Sequence, residues 1–240
     1  MRALVAGLAA LLAVACGGSA PQGAGPVRVQ LNWFPEHEHG GYFAALVSNG
    51  YRDAGLDVQL LPGGPNSPVL ARVATGEVEF GVVNADDVVL SRAAGAPVVA
   101  LMAPFQHSPV CVMVHASSGI TKLDQLRDMT LAMQIASAHW RVLQKSLPLP
   151  GVTVVPYSGS IAEFLVNKNY GQQAYSISEP ILAADKGADP RCLMESELGF
   201  DPYTSILVAR EQLLKEKPDL VATMVRASAA TAAASNSPTP

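Results

Sequence analysis

From Val27 onward, short runs that alternate apolar and polar residues take turns with runs of helical period, and only a few residues join them. Residues 27–33 (VRVQLNW) have the period of two of a half-buried strand. Gly40-Gly41 opens a helical stretch that Gly55 can terminate. The spacing then predicts a strand over 57–61, a turn at 62–65, a helix over 67–74, a strand over 78–83, a helix over 86–94 and a strand over 97–103. After Pro104 the pattern restarts. Strands are expected at 110–114, 130–133, 152–157, 172–178 and 191–195, and a capping-box-like start at 121–124 opens a short helix. Further helices are expected over 137–146, 160–167 and from Pro180 to Gly187. A last strand at 205–209 precedes helical residues 211–217 and a helix from Pro218 to about 233. Such alternation implies mostly parallel sheets covered by helices. The halves, 27–104 and 108–202, look like two similar α/β units without an internal repeat. Ligands of open α/β sheets sit at the carboxyl ends of the strands, so a cleft between the units is the expected site.

The first sixteen residues bear on location. Arg2 precedes an apolar run over 3–15 that is too short to cross a bilayer of roughly 30 Å as a helix. It fits the apolar segment of a secretory signal. LAVAC, ending at Cys16, resembles a bacterial lipobox, with Ala13 where such boxes prefer Leu; lipidated Cys16 would be the mature N-terminus. The alternative is an ordinary signal peptide cut nearby. Residues 17–26 read as a flexible tether. The mature body is thus expected outside the cytoplasm, anchored to a membrane surface by lipid alone. Cys111 and Cys192 each lie in an apolar run and read as two free buried thiols, although an oxidising compartment permits pairing. With 49% apolar and 15% charged residues the chain is not disordered, and 16 Lys+Arg against 20 Asp+Glu, without a basic run, argue against nucleic acid.

The densest polar and aromatic segment is WFPEHEHGGY, from Trp33 to Tyr42. It follows Asn32 at the end of the first strand and runs into a helix N-terminus. Trp33 is either core or a stacking surface for a planar ligand. His37 and His39, interleaved with Glu36 and Glu38, could ligate a metal, but no third ligand stands at a recognised spacing and no metal or cofactor is expected. His39, Gly40, Gly41 and Tyr42 read as ligand contacts. Asn84 and Asp86 either cap the next helix or face the cleft. Gln106 lies at the crossover between units. Tyr157 and Ser158 end one strand, and Tyr175 and Glu179 lie at the end of another, where Glu179 either favours the following helix dipole or pairs with an amino group of a ligand. No G-x-S-x-G elbow, P-loop or dinucleotide motif occurs, and His115 and His139 have no triad spacing.

Together with the lipobox, VRVQLNWFPEHEHGGYFAA, GEVEFGVVNADDVVLSRAAGAPVVA, SGITKLDQLRDMTLAM, AYSISEP and FDPYTSILVARE resemble the substrate-binding lipoproteins of ABC importers. The similar branch comprises the thiamine-pyrimidine-precursor and nitrate/sulfonate/taurine binding proteins. The resemblance implies a two-lobed type II periplasmic-binding-protein fold that closes on ligand by a hinge. Lobe 1 would comprise 27–104 and 205–234, lobe 2 residues 105–204, and 235–240 a disordered tail. It also implies a small-molecule ligand, a permease and an ATPase as partners, and a monomeric, non-enzymatic chain. The fungal pyrimidine synthases share the fold but carry a Cys-rich iron motif that this chain lacks. In the pyrimidine branch a strand-end aromatic, a His-Gly segment and a Glu-Pro motif line the cleft; here these are Trp33, His39-Gly40 and Glu179-Pro180. Family members usually continue past the Pro218 helix, whereas this sequence ends in SNSPTP. No Lys or Arg occurs in 32–42, 84–87, 105–107, 157–160 or 175–180, so the expected ligand is a planar, amino-bearing heterocycle such as a thiamine-type pyrimidine. Oxyanion binding, a synthase and a sensor domain are the alternatives.

Overall fold

The computed structural model describes residues 25–235; Cys16, most of the tether and residues 236–240 lie outside them. The described strands form two five-stranded sheets. The first is built from β1 (Val27–Gln30), β2 (Val58–Leu61), β3 (Phe80–Val83) and β4 (Val98–Met102), in the order β2-β1-β3-β10-β4, with β10 (Ile206–Arg210) inserted antiparallel between β3 and β4. The second holds β5 (Val110–His115), β6 (Thr130–Met133), β7 (Thr153–Pro156), β8 (Tyr170–Tyr175) and β9 (Pro190–Met194), in the order β7-β6-β8-β5-β9. There β5 is the antiparallel insert, between β8 and β9. Each sheet is therefore mostly parallel, with one strand delivered by a crossover from the other. The two crossovers are tied together: Asp201 accepts from the Ser108 N–H (2.6 Å) and contacts His107 Nδ1 (2.8 Å).

Central strands covered on both faces are mostly apolar, and β3 (FGVV) and β5 (VCVMVH) are buried throughout. One face of the first sheet sets Val29, Leu31, Phe80, Val82 and Leu207 against α1 (Gly40–Val47), α2 (Gly50–Asp53), α8 (Glu211–Glu216) and α9 (Pro218–Ser235). Its other face packs Val83, Val98 and Val208 on α3 (Val69–Thr75) and α4 (Ala85–Ala93). In the second sheet, Val112, Val114 and Leu131 meet Trp140 and Leu143 of α5 (Ala138–Ser146), while Cys111, Met113 and Ala174 meet Phe164 of α6 (Ala162–Val166) and Ala183 of α7 (Glu179–Asp185).

Three expectations need correction. The helix expected after Gly40 is broken at Asn49, whose φ of 63° is left-handed, a conformation Asn tolerates, so α1 and α2 are separate pieces. The first strand is shorter than 27–33, because the chain leaves the ladder after Leu31 to present Asn32 and Trp33. Cys111 and Cys192 are bonded to each other rather than free. Antiparallel pairing of β5 with β9 brings their Cα atoms to 5.5 Å, within bridging range. Among the described residues no helix is long and apolar enough to cross a membrane.

Candidate functional site: an acidic, aromatic cleft between the sheets

Where the carboxyl ends of the two sheets face each other, segments from both converge. The first leaves β1. Leu31 still donates its N–H to the Leu61 carbonyl (2.9 Å), and the chain then carries Asn32, Trp33 and Phe34 to a 3-10 turn at His37–His39. His39 is fully buried inside this loop. Its Nδ1 accepts from the Glu36 N–H (3.4 Å) and its Nε2 donates to Asn32 Oδ1 (3.0 Å). Burial lowers its pKa to about 4, so the neutral ring braces the loop that aims Asn32 and Glu36.

Trp33 lies flat on Tyr157 from the second sheet, with ring centroids 5.8 Å apart and planes within 8°. Phe34 meets the Trp33 ring edge-on at 5.6 Å. Beneath them Gly159 has φ +81°, and a Cβ there would stand 2.9 Å from the Phe34 ring, so only Gly lets these aromatics close over the turn. Glu179, at the start of α7, accepts from the Tyr157 hydroxyl and from the Tyr175 N–H, each at 2.8 Å. Two hydrogen bonds cross between the sheets. Tyr175 donates its hydroxyl to Asn84 Oδ1 (3.2 Å), and Ser178 donates Oγ to Glu36 Oε2 (3.1 Å).

Carboxyl groups dominate the electrostatics. Burial and the neighbouring Glu179 charge raise Glu36 to about 7. Glu38 is 5% exposed, and burial, with Glu36 and Glu179 adding, pushes it well above the usual carboxylate range. At the first turn of α4, burial raises Asp86, and burial with the Asp86 charge raises Asp87 to about 6. Among the described residues, no Lys or Arg lines the cavity that Glu36, Glu38 and Glu179 share. A buried carboxylate without a cation is costly, so Glu36 and Glu38 favour the arrival of a cationic or donor group.

The cavity measures about 50 Å³, room for a few waters. It opens beside Glu36 and Glu179 into a wider groove of about 670 Å³ walled by Pro35, Phe43, Ile161 and Leu182. Six of the residues singled out in the sequence line the cavity together: Asn32, Trp33, Asn84, Tyr157, Tyr175 and Glu179. Gly40, Gly41 and Tyr42 instead line a separate space of about 240 Å³ beside Phe105, and the Tyr42 hydroxyl is spent on the Ser205 carbonyl (2.9 Å). Asp86 is half-buried beside the cavity, whereas Gln106 and Ser158 are exposed and line none of these spaces. Sequence reasoning missed Gln134, His139 and Gln173 as lining residues. Gln134 directly follows β6, so the rule that ligands sit at strand carboxyl ends could have found it. Among the described residues no group of three or more His, Cys, Asp or Glu is arranged to hold a metal ion.

The profile of the NMT1/THI5-like family matches residues 36–239. The chain belongs to the NMT1/THI5-like family. A comparison with curated proteins returned no match. Among solved structures, lactococcal OpuAC, closed on glycine betaine, superposes with a TM-score of 0.62 at 16% identity over 90% of this chain and 91% of its own. The alkanesulfonate-binding protein SsuA from Xanthomonas axonopodis pv. citri, bound to MOPS, gives 0.62 at 15% identity over 87% of this chain and 74% of its own. The arginine-, lysine-, histidine-binding protein ArtJ from Geobacillus stearothermophilus gives 0.60 at 15% identity over 87% and 90%. At these identities the likeness is one of fold. This NMT1/THI5-like chain has the type II periplasmic-binding-protein architecture.

Proposed function

We propose that this protein is the extracytoplasmic solute-binding component of an ABC importer, and that it captures a planar, amino-bearing heterocycle of the thiamine-pyrimidine type. The family membership supports the importer reading, as do structural neighbours described as the ligand-binding component of an ABC-type import system and the substrate-binding protein of an amino acid ABC transporter. The chemistry of the ligand rests on one observation: three carboxyls, Glu36, Glu38 and Glu179, share a cavity with a stacked Trp33–Tyr157 pair and no Lys or Arg. Aromatic faces take up a flat ring, and buried carboxylates demand donors or positive charge. In their ionised form the carboxyls would repel an oxyanion such as a sulfonate.

Binding requires the lobes to part. A ring sandwiched between Trp33 and Tyr157 needs about 7 Å between their planes, two contacts of roughly 3.5 Å. The ring centroids are 5.8 Å apart, so the planes are no farther apart than that, and 50 Å³ does not hold a heterocycle. The Tyr175–Asn84 and Ser178–Glu36 bonds would open with the lobes and re-form around the ligand, the hinge being the paired crossovers near Phe105–His107 and Tyr203–Ser205. The bound protein would then present its ligand to a permease. We assign no chemical step to the chain, and we place it as a monomer at the outer membrane face or in the periplasm, held by lipid on Cys16. Titration calorimetry of wild type and Glu179→Gln with the aminopyrimidine alcohol of thiamine tests the ligand reading. Saturable binding that Glu179→Gln weakens about 10- to 150-fold is expected, the span of a hydrogen bond to a charged group. Unchanged or improved binding by that variant would contradict it. Loss of membrane attachment in Cys16→Ser tests the anchor.

A further inference from the structure

One buried carboxylate on the same side of the cleft has no donor. Glu195, in the 3-10 turn after β9, is 1% exposed, and neither of its oxygens accepts a hydrogen bond. Its nearest basic group is His139 in the first turn of α5, whose Nδ1 lies 3.4 Å from Glu195 Oε1, just outside hydrogen-bond geometry. His139 is itself 8% exposed, and it lines the cavity that also holds Glu36 and Glu179. A carboxylate that is buried without a donor stays there at a cost unless a neighbour turns to it. An imidazole is built for this position: one nitrogen can face the carboxylate while the other faces the site.

We infer that His139 is a ligand-recognition residue and that Glu195 is its positioning residue. With Nδ1–H held toward Glu195, Nε2 is left to meet the ligand. The inference rests on the ligand reading above and deepens it. The ligand needs donors on the edge that meets Glu36 and Glu179. It also needs a ring nitrogen or other polar atom on another edge, which His139 reads. A protonated His139 donates from both nitrogens; a neutral one with its proton on Nδ1 accepts at Nε2.

The test uses two probes on the full chain: the aminopyrimidine alcohol of thiamine, and its benzene analogue, the aniline of the same shape in which CH replaces both ring nitrogens. Wild type should prefer the pyrimidine by about tenfold or more, the worth of one to two hydrogen bonds. His139→Leu should abolish the preference, mostly by weakening the pyrimidine, and leave the aniline within about twofold. Glu195→Gln, which keeps volume and polarity, should reduce the preference in the same direction. Nitrogen-15 shifts of the His139 ring should show the Nδ1 proton in the ligand-free wild type and its redistribution in Glu195→Gln. A preference that survives His139→Leu, or a variant that loses both probes equally, overturns the recognition role. His139 shifts unaltered by Glu195→Gln overturn the positioning role. If wild type binds neither probe, the ligand reading itself fails and takes the recognition role with it, while the ring shifts still decide the pairing.

Discussion

Glu36 offers the sharpest check on the electrostatics, because one substitution should move stability and affinity in opposite directions. Its carboxyl is raised from 4.5 to about 7 by burial and by Glu179. A carboxyl raised in the folded state holds its proton there longer than in the unfolded chain. Its favourable contribution is therefore complete below about 4.5 and is lost as pH rises through about 7. The interval corresponds to about 3 kcal/mol, which the partial solvent access of Glu36 reduces to about 1–2 kcal/mol. Glu36→Gln removes the titration while its amide oxygen can still accept from Ser178 Oγ. Ligand-free Glu36→Gln should match wild type near pH 5 and exceed it by about 1–2 kcal/mol near pH 8. Thermal unfolding should show this as a gap of about 2–8 °C that opens with pH. The same variant should bind the aminopyrimidine more weakly. A gap independent of pH, or a variant less stable at pH 8, would refute the reasoning.

Other outcomes follow from the same geometry. Cys111→Ser with Cys192→Ser, which frees a loop with a sequence separation of 81, should destabilise the second lobe by about 2–5 kcal/mol, read as a lower unfolding midpoint that added reductant no longer shifts. Trp33→Ala should weaken ligand binding by about 3- to 10-fold through loss of stacking, with far-ultraviolet circular dichroism unchanged. Asn84→Ala, which removes the acceptor of Tyr175 and of the Ser205 N–H, should shift small-angle scattering toward a larger radius of gyration, and saturating ligand should restore compaction in wild type.

The alternation of strand and helix was readable because both sheets are buried on two faces, which forces continuous apolar runs such as FGVV and PVCVMV. Strand ends were equally legible, and Trp33, Asn84, Tyr157 and Tyr175 all reach the cavity because each lies at or just past one. What local pattern could not show is convergence over distance. Glu195 and His139 are 56 positions apart and meet only because the 3-10 turn after β9 packs against α5. His39 looked like a ligand contact beside Trp33, yet the turn folds it inward to brace Asn32. Cys111 and Cys192 read as ordinary apolar residues because their pairing depends on the antiparallel register of β5 and β9.

The central claim is that a cleft lined by carboxyls and stacked aromatics, with no Lys or Arg, selects an amino heterocycle over an oxyanion. Competition calorimetry on the mature wild-type chain, titrating the aminopyrimidine alcohol of thiamine in the presence and absence of excess ethanesulfonate, measures that choice directly. The account predicts saturable binding of one pyrimidine per chain, unaffected by the sulfonate, and no heat from the sulfonate alone. Tight sulfonate binding with no pyrimidine uptake would contradict it.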